Sequence, residues 1–297
     1  MGFLDRFKKK TADTTRRTRV NIEQRFEIKR TAISGSMSKF YMARDRENDN
    51  TVGLKVADPE KTKLFETRFK ELKKPSEGEI AISIDHPHVV STYEYGTTRA
   101  REAYIVMEYI RGLGLQNLIY NNDSILDGKR LKLIRQMALA LEAVHDAGFI
   151  HRDICPRNYI CSEDAESVKL FDFGLTLPNE HSFRQPGNRT GTPLYMAPEV
   201  VRRKWTDLRL DIFSLGVTLY EFCTFDLPWP KTETTGLAAL AHDTYEPREI
   251  LELKPGMNRK LADAIMKCIS AQADNRYETV GQFLTAIQDC KGEDEPQ

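Results

Sequence analysis

None of the five cysteines, Cys155, Cys161, Cys223, Cys268 and Cys290, stands at CxxC spacing to another, and an odd number leaves one over from any pairing. A reduced, intracellular setting with no structural zinc is the simplest reading of that pattern. An excess of either charge is also missing: Lys+Arg and Asp+Glu are both 44. Charge balance therefore offers no whole-chain reason to bind nucleic acid, and no nucleic-acid partner is expected. No apolar run reaches the roughly 20 residues of a membrane span. The opening "MGFLDRFKKK" has no apolar h-region, so a signal peptide is not expected. No internal repeat is visible. What is present, 297 residues with 40% hydrophobic and 30% charged side chains, reads as a soluble globular chain of one large or two ordinary domains.

Residues 1–24 stand apart as a basic, flexible N-terminal extension, with seven Lys/Arg and two Asp through Val20 and no β pattern. Two readings stay open there. Gly2, Phe3, Leu4 and Phe7 beside Lys8–Lys10 make residues 1–20 a weak membrane-surface contact. A solvated, frayed terminus is the favoured alternative. Arg6 occupies the position where a myristoylation signal carries Ser or Thr. The resulting localisation is cytoplasmic, with peripheral membrane attachment as its variant.

From residue 25 to 110 the pattern is mostly short strands: "FEIKRTAIS", "SKFYMAR", "TVGLKVA", "HPHVVSTYEYG" and "EAYIVMEYI", with "DRENDN" as a polar turn. A helical stretch from Lys61 to Ile84 is expected to break near Lys74, because Pro75 suits only a first helical turn. From 111 to 290 the chain turns helical. "LKLIRQMALALEAVHDAG" lines up Leu131, Ile134, Met137, Ala138, Leu141, Val144 and His145, with Gly148 as a stop. "DIFSLGVTLYEFC" is apolar nearly all round, as a buried helix is. Further helices are expected at Arg259–Ser270 and Thr279–Asp289, and 291–297 as a disordered tail. The fold class is therefore α+β, with a small β-rich lobe and a larger helical lobe; ligands tend to sit at such junctions.

Four motifs then fall in order: Lys55 in "VGLKV", "HRDICPRN" from His151, Asp172-Phe173-Gly174 in "LFDFGLTLP", and Ala197-Pro198-Glu199 in "GTPLYMAPEV". Dense phosphate charge must be neutralised for phosphoryl transfer, and magnesium prefers carboxylate and amide oxygens. Asp172 and Asn158 supply such ligands and Lys55 supplies positive charge. Over residues 25–290 the chain resembles the eukaryotic-type, Ser/Thr-like protein kinases.

The resemblance implies a two-lobed kinase fold, ATP and Mg2+ as cofactors, and protein substrates. It makes Asp153 the residue that receives or orients the acceptor hydroxyl's proton. Glu77, nine residues before the "HP" of "HPHVV", becomes the partner of Lys55. Asn158 and Asp172 become the metal ligands. Around the nucleotide it places Ile33, Gly35, Phe40, Lys55, Met107, Glu108 and Ile110, with Met107 as gatekeeper. It gives Asp211 the task of holding the catalytic loop, pairs Arg276 with Glu199, and sets Thr192 near Asp153. Arg152 beside Asp153 implies control by activation-segment phosphorylation, with Ser182 and Thr190 as candidate sites.

Two departures qualify that picture. Of the family's GxGxxGxV loop only Gly35 survives; Ile33 and Ser38 hold the flanking glycine positions and Phe40 the valine. Side chains there hinder close approach of backbone N–H groups to phosphate, so weakened ATP affinity is expected. Cys155 stands where Ser/Thr kinases place lysine, while Arg157 occupies the arginine position of tyrosine kinases and can return the missing charge. Three readings follow: an active Ser/Thr-type kinase, a pseudokinase acting as a nucleotide-binding or docking scaffold, and a small-molecule phosphotransferase. "GTPLYMAPE", a peptide-docking element in the family, disfavours the third. The intact set Lys55, Glu77, Asp153, Asn158 and Asp172 favours the first.

Overall fold

The computed structural model describes residues 16–34, 37–229, 242 and 244–295. Gly35 and residues 1–15 of the proposed membrane-contact segment lie outside the described residues. The chain divides into two compact units, Met1–Ile110 and Arg111–Gln297.

The first unit contains β1 (Arg16–Val20), α1 (Ile22–Arg25), β2 (Phe26–Ser34), β3 (Ser38–Asp45), β4 (Thr51–Ala57), α2 (Pro59–Thr67), α3 (Glu77–Ser83), β5 (Thr92–Thr98) and β6 (Ala103–Glu108). Its strands form one sheet in the order β1-β5-β6-β4-β3-β2. The period of two does the sorting: Val52 and Leu54 turn into a core with Phe26, Ala43, Tyr104 and Val106, and Lys55 goes to the opposite face. The helical stretch breaks earlier than expected. α2 ends at Thr67, a 3₁₀ turn spans Lys70–Leu72 and Lys73 adopts φ 53°. A fresh helix, α3, then starts behind Ser76, whose hydroxyl and the Glu79 carboxylate form a capping box.

Residues 16–24 correct the flexible-extension expectation. β1 pairs in parallel with β5, and its charge is spent locally: Arg17 Nε meets Glu94 Oε2 at 2.9 Å and Arg17 Nη1 meets Glu47 Oε2 at 2.6 Å. Arg17, read as part of a solvated basic run, is in fact matched by acids distant in sequence.

The second unit contains β7 (Gly112–Gly114), α4 (Leu115–Tyr120), α5 (Arg130–Asp146), β8 (Phe149–Ile150), β9 (Tyr159–Ser162), β10 (Val168–Leu170), β11 (Leu177–Pro178), α6 (Pro198–Val201), α7 (Arg209–Thr224), α8 (Ile250–Leu253), α9 (Arg259–Cys268) and α10 (Val280–Ala286). The short strands form a sheet β10-β9-β7 and a pair β11-β8. α5 buries the stripe from Leu131 to Val144, and Gly148 follows at φ 85°. α7 is buried from Leu210 through Cys223. It packs tightly on α9, since a Cβ at Gly216 would lie 2.6 Å from Cys268 Cβ.

The tail also departs from expectation as far as Glu295. Glu293 is buried and accepts from Arg130 N at 2.7 Å and Arg130 Nη1 at 2.8 Å. A carboxylate there satisfies the positive N-terminal end of α5, which is what orders these last residues. Among the described residues no helix is long and apolar enough to cross a membrane.

Candidate active site

In the first unit, Lys55 on β4 forms an ion pair with Glu77 at the first position of α3. The lysine side chain is 4% exposed and the glutamate 20%. An isolated surface pair would count for little; this one holds a buried ammonium that otherwise faces a large desolvation cost. Phe40 is the cross-strand partner of Lys55, and its ring centroid lies 5.2 Å from Lys55 Nζ. An aromatic face thus covers the cation. Ile33 pairs with Phe40 in the β2–β3 register. Met107 pairs with Gly53 on the neighbouring strand, where a Cβ at 53 would lie 2.9 Å from Met107 Cγ. Glu108 is fixed to Ser91, its N–H donating to the Ser91 carbonyl at 2.9 Å and its carboxylate accepting from Ser91 N at 3.3 Å. Ile110 ends this unit, half-buried.

In the second unit the loop 151–158 is held from below by α7. Asp211 is completely buried and accepts from His151 N and Arg152 N, each at 2.7 Å. His145 Nε2 lies 3.0 Å from the same carboxylate. Burial opposes ionisation of Asp211, but the bonds from His145 and the loop outweigh it and hold its pKa below the usual carboxylate range. Burial lowers the pKa of His151, keeping that ring neutral.

Asp153 is the convergence point. Its Oδ1 accepts from Thr192 N at 2.8 Å and Thr192 Oγ1 at 2.7 Å. Asn158 Nδ2 donates to the Asp153 carbonyl at 2.6 Å and to Asp153 Oδ2 at 3.1 Å. Both amide hydrogens being engaged, the Asn158 oxygen is the atom left to meet a cation. Asp172 follows β10 at φ 70°, a left-handed conformation that costs a non-glycine residue energy. The preceding residue ties it in place, because Phe171 N donates to the Asn158 carbonyl at 3.0 Å. Asp172 Oδ1 accepts from Gly174 N at 3.1 Å, and Phe173 packs edge-on against His151, centroids 5.4 Å apart. The backbone bond places Asp172 one residue beyond the Asn158 contact. Among the described residues there is no cage of three or more His, Cys, Asp or Glu. The donor chemistry of an amide oxygen and a carboxylate, with the remaining positions left to water and phosphate, would suit magnesium, which seldom takes an all-protein cage.

Arg157 Nη2 donates to Thr192 Oγ1 at 2.8 Å, so a chain Arg157–Thr192–Asp153 forms. Cys155 is fully buried, and burial pushes its thiol up to about 12. It is a protonated filler, not a reactive thiolate. Arg152 is buried, with Nη2 on the Asn188 carbonyl at 2.9 Å and, among the described residues, no hydrogen-bond partner for Nε. Burial pushes its guanidinium down to about 10 despite the nearby Asp211.

The segment after Gly191 is anchored on three sides. Ser214 Oγ donates to the Tyr195 carbonyl at 2.7 Å, Tyr195 OH donates to Glu221 Oε2 at 2.5 Å, and His242 Nδ1 lies 2.7 Å from the Met196 carbonyl. Arg276 grips Glu199 bidentately at 2.7 and 2.9 Å. Sequence reasoning missed His242, which carries no local signal, and the role of His145. The signal for His145 was present: a polar residue on an otherwise apolar stripe.

The protein kinase domain model matches residues 26–286. The serine/threonine-protein kinase PknB of Mycolicibacterium smegmatis is 28% identical over 93% of this chain and 45% of its own length. That of Mycobacterium tuberculosis is 29% identical over 89% and 42%. A probable serine/threonine-protein kinase of Clostridium acetobutylicum is 31% identical over 91% and 40%. The chain thus spans less than half the length of these relatives. With a family model covering most of its length and the motif residues in the arrangement described, this chain belongs to the protein kinase domain family.

Proposed function

We propose that the chain is a protein serine/threonine kinase that transfers the ATP γ-phosphoryl group, with Mg2+, to hydroxyls of protein substrates. The observation that carries this reading is Asp153 held by Thr192 on one carboxylate oxygen and by Asn158 on the other. Its remaining lone pairs can orient an acceptor hydroxyl and take its proton. Asn158 and Asp172 would hold the metal, which when bound neutralises charge on the phosphate oxygens. Lys55, steadied by Glu77, offers its ammonium to the nucleotide's phosphates. Arg157, tied to Thr192, brings cationic charge to the Asp153 neighbourhood from which the usual lysine is missing. Thr192, bonded to Asp153, favours Ser/Thr acceptors. Phe40, together with Ile33 and Ser38 at glycine positions, accounts for a weakened grip on ATP. Five buried, free cysteines agree with a reducing cytoplasmic setting.

Arg152, a buried cation whose Nε has no partner among the described residues, suits a phosphate on the activation segment. Ser182 and Thr190 remain the proposed sites; a phosphosite map of protein made with ATP present, with neither modified, would end that part of the reading. The activity itself is tested by autophosphorylation in Mg-ATP, wild type against Asp172→Asn. The kinase reading expects incorporation in wild type only, with a rise in Tm on adding Mg-ATP. Equal, negligible incorporation and no change in Tm would leave a docking scaffold instead.

A further inference from the structure

The strand β1 lies outside the matched family region, yet it is built into the sheet beside the helix that carries Glu77. Register places Arg16 opposite Tyr95 and Arg17 opposite Gly96. The approach is close: a Cβ at Gly96 would lie 1.8 Å from the Arg17 carbonyl oxygen. Any larger residue at 96 therefore excludes β1. On its other side Tyr95 meets α3, where a Cβ at Gly78 would lie 2.4 Å from Tyr95 Cβ. Gly78 directly follows Glu77, the partner of Lys55. Gly96 thus lets β1 close on β5 next to Tyr95, and Gly78 lets α3 close on Tyr95 itself.

The strand is also held by charge. Glu94, next to Tyr95 and nearly buried, receives Arg17 Nε at 2.9 Å, Arg25 Nη1 at 2.6 Å and Tyr104 OH at 2.6 Å. Arg25 in turn grips Asp45 with Nε at 3.1 Å and Nη2 at 2.7 Å. A carboxylate with three donors, one of them from β1, fixes the strand's register against β5.

We infer that residues 16–20 are a positioning element for the Lys55–Glu77 pair, acting through Tyr95 on α3. The inference rests on the kinase reading but concerns a segment to which that reading assigns no role. Releasing β1 frees the edge of β5, loosens the tyrosine on which Gly78 rests and lets Glu77 drift from Lys55. Misplacing a catalytic cation by about 1 Å can cost on the order of 10²-fold in rate. A partner that captures residues 16–20 would thereby lower activity without touching the nucleotide.

The test uses the full chain with Gly96→Val, which excludes β1 while suiting an edge strand, and Arg17→Ala beside Arg17→Lys. Hydrogen exchange is followed at 16–20 and at Glu77–Ser83, and kcat and KM for ATP are measured on a Ser/Thr peptide. Expected for Gly96→Val are fast exchange at 16–20, at least tenfold faster exchange in α3, and a kcat lowered about tenfold or more with KM for ATP within threefold. Arg17→Ala should show the same changes in smaller measure, and Arg17→Lys should recover most of the wild-type behaviour. The inference is overturned if β1 is released while α3 exchange and kcat stay within about twofold of wild type. It is equally overturned if β1 stays paired in Gly96→Val. Exchange in α3 needs no activity, so an inactive wild type would sink the kinase reading and leave this measurement standing; should Gly96→Val fail to fold, the Arg17 pair decides alone.

Discussion

Asn158 gives both hydrogens of its amide nitrogen to Asp153, one to the backbone carbonyl and one to the carboxylate. One side chain thereby orients the candidate base and turns its own oxygen outward as a candidate metal ligand. Replacing it removes two functions together. Asn158→Ala should lower kcat by roughly 10²–10³-fold and raise the Mg2+ concentration needed for half-maximal rate. It should also cost about 1 kcal/mol of stability, since the half-buried Asp153 carbonyl loses its donor. Rate measurements across a Mg2+ titration, with urea unfolding midpoints alongside, check all three; an unchanged Mg2+ requirement would remove the metal from the account of this residue.

Arg157 reaches Thr192 rather than Asp153 itself. If its charge replaces the lysine absent at Cys155, Arg157→Ala should lower turnover on the order of 10²-fold, with little change in Tm because the side chain is exposed. Arg157→Lys should recover part of the loss, since a point charge replaces a fork. A twofold or smaller effect of Arg157→Ala would show that the site runs without a cation there.

His242 makes stability depend on pH. Burial pulls its pKa down to about 4 from an unfolded value of 6.5, the Met196 carbonyl opposing only in part. Below pH 6.5 the unfolded chain takes up a proton that the folded chain refuses until about 4. The stability is therefore complete above pH 6.5 and is lost as pH falls toward 4, by up to about 1.4 kcal/mol per pH unit. His242→Gln keeps a donor for Met196 and removes this proton. Between pH 7 and 4.5 its urea midpoint should fall less than that of wild type; an equal fall would place the acid sensitivity elsewhere.

Much of this site could be read from residue order, because its members sit in short motifs whose local chemistry is distinctive. Asp211's role as holder of the loop followed from the family resemblance, and it accepts from two loop N–H groups. Arg276 and Glu199 followed from the family pattern. The strands were legible through alternation, as at Val52, Leu54 and Lys55. What escaped depends on contacts between distant parts of the chain. Arg17 looked like part of a solvated basic run until Glu94, remote in sequence, came beside it. Glu293 looked like disordered acid until it capped α5 through Arg130. His242 meets Met196 across a long intervening segment. Charge runs announce burial only when their partners are known, and pairing at long range leaves no periodic trace.

The most direct test of the account is phosphoryl transfer from saturating Mg-ATP to a mixed Ser/Thr peptide library, comparing wild type with Asp153→Asn. Asparagine keeps the size and, through its one oxygen, the contact with Thr192, but its amide nitrogen can accept neither from Asn158 nor the acceptor's proton. The account predicts at least a 10²-fold loss of kcat with nucleotide affinity held within threefold. Equal turnover by the two proteins would contradict it.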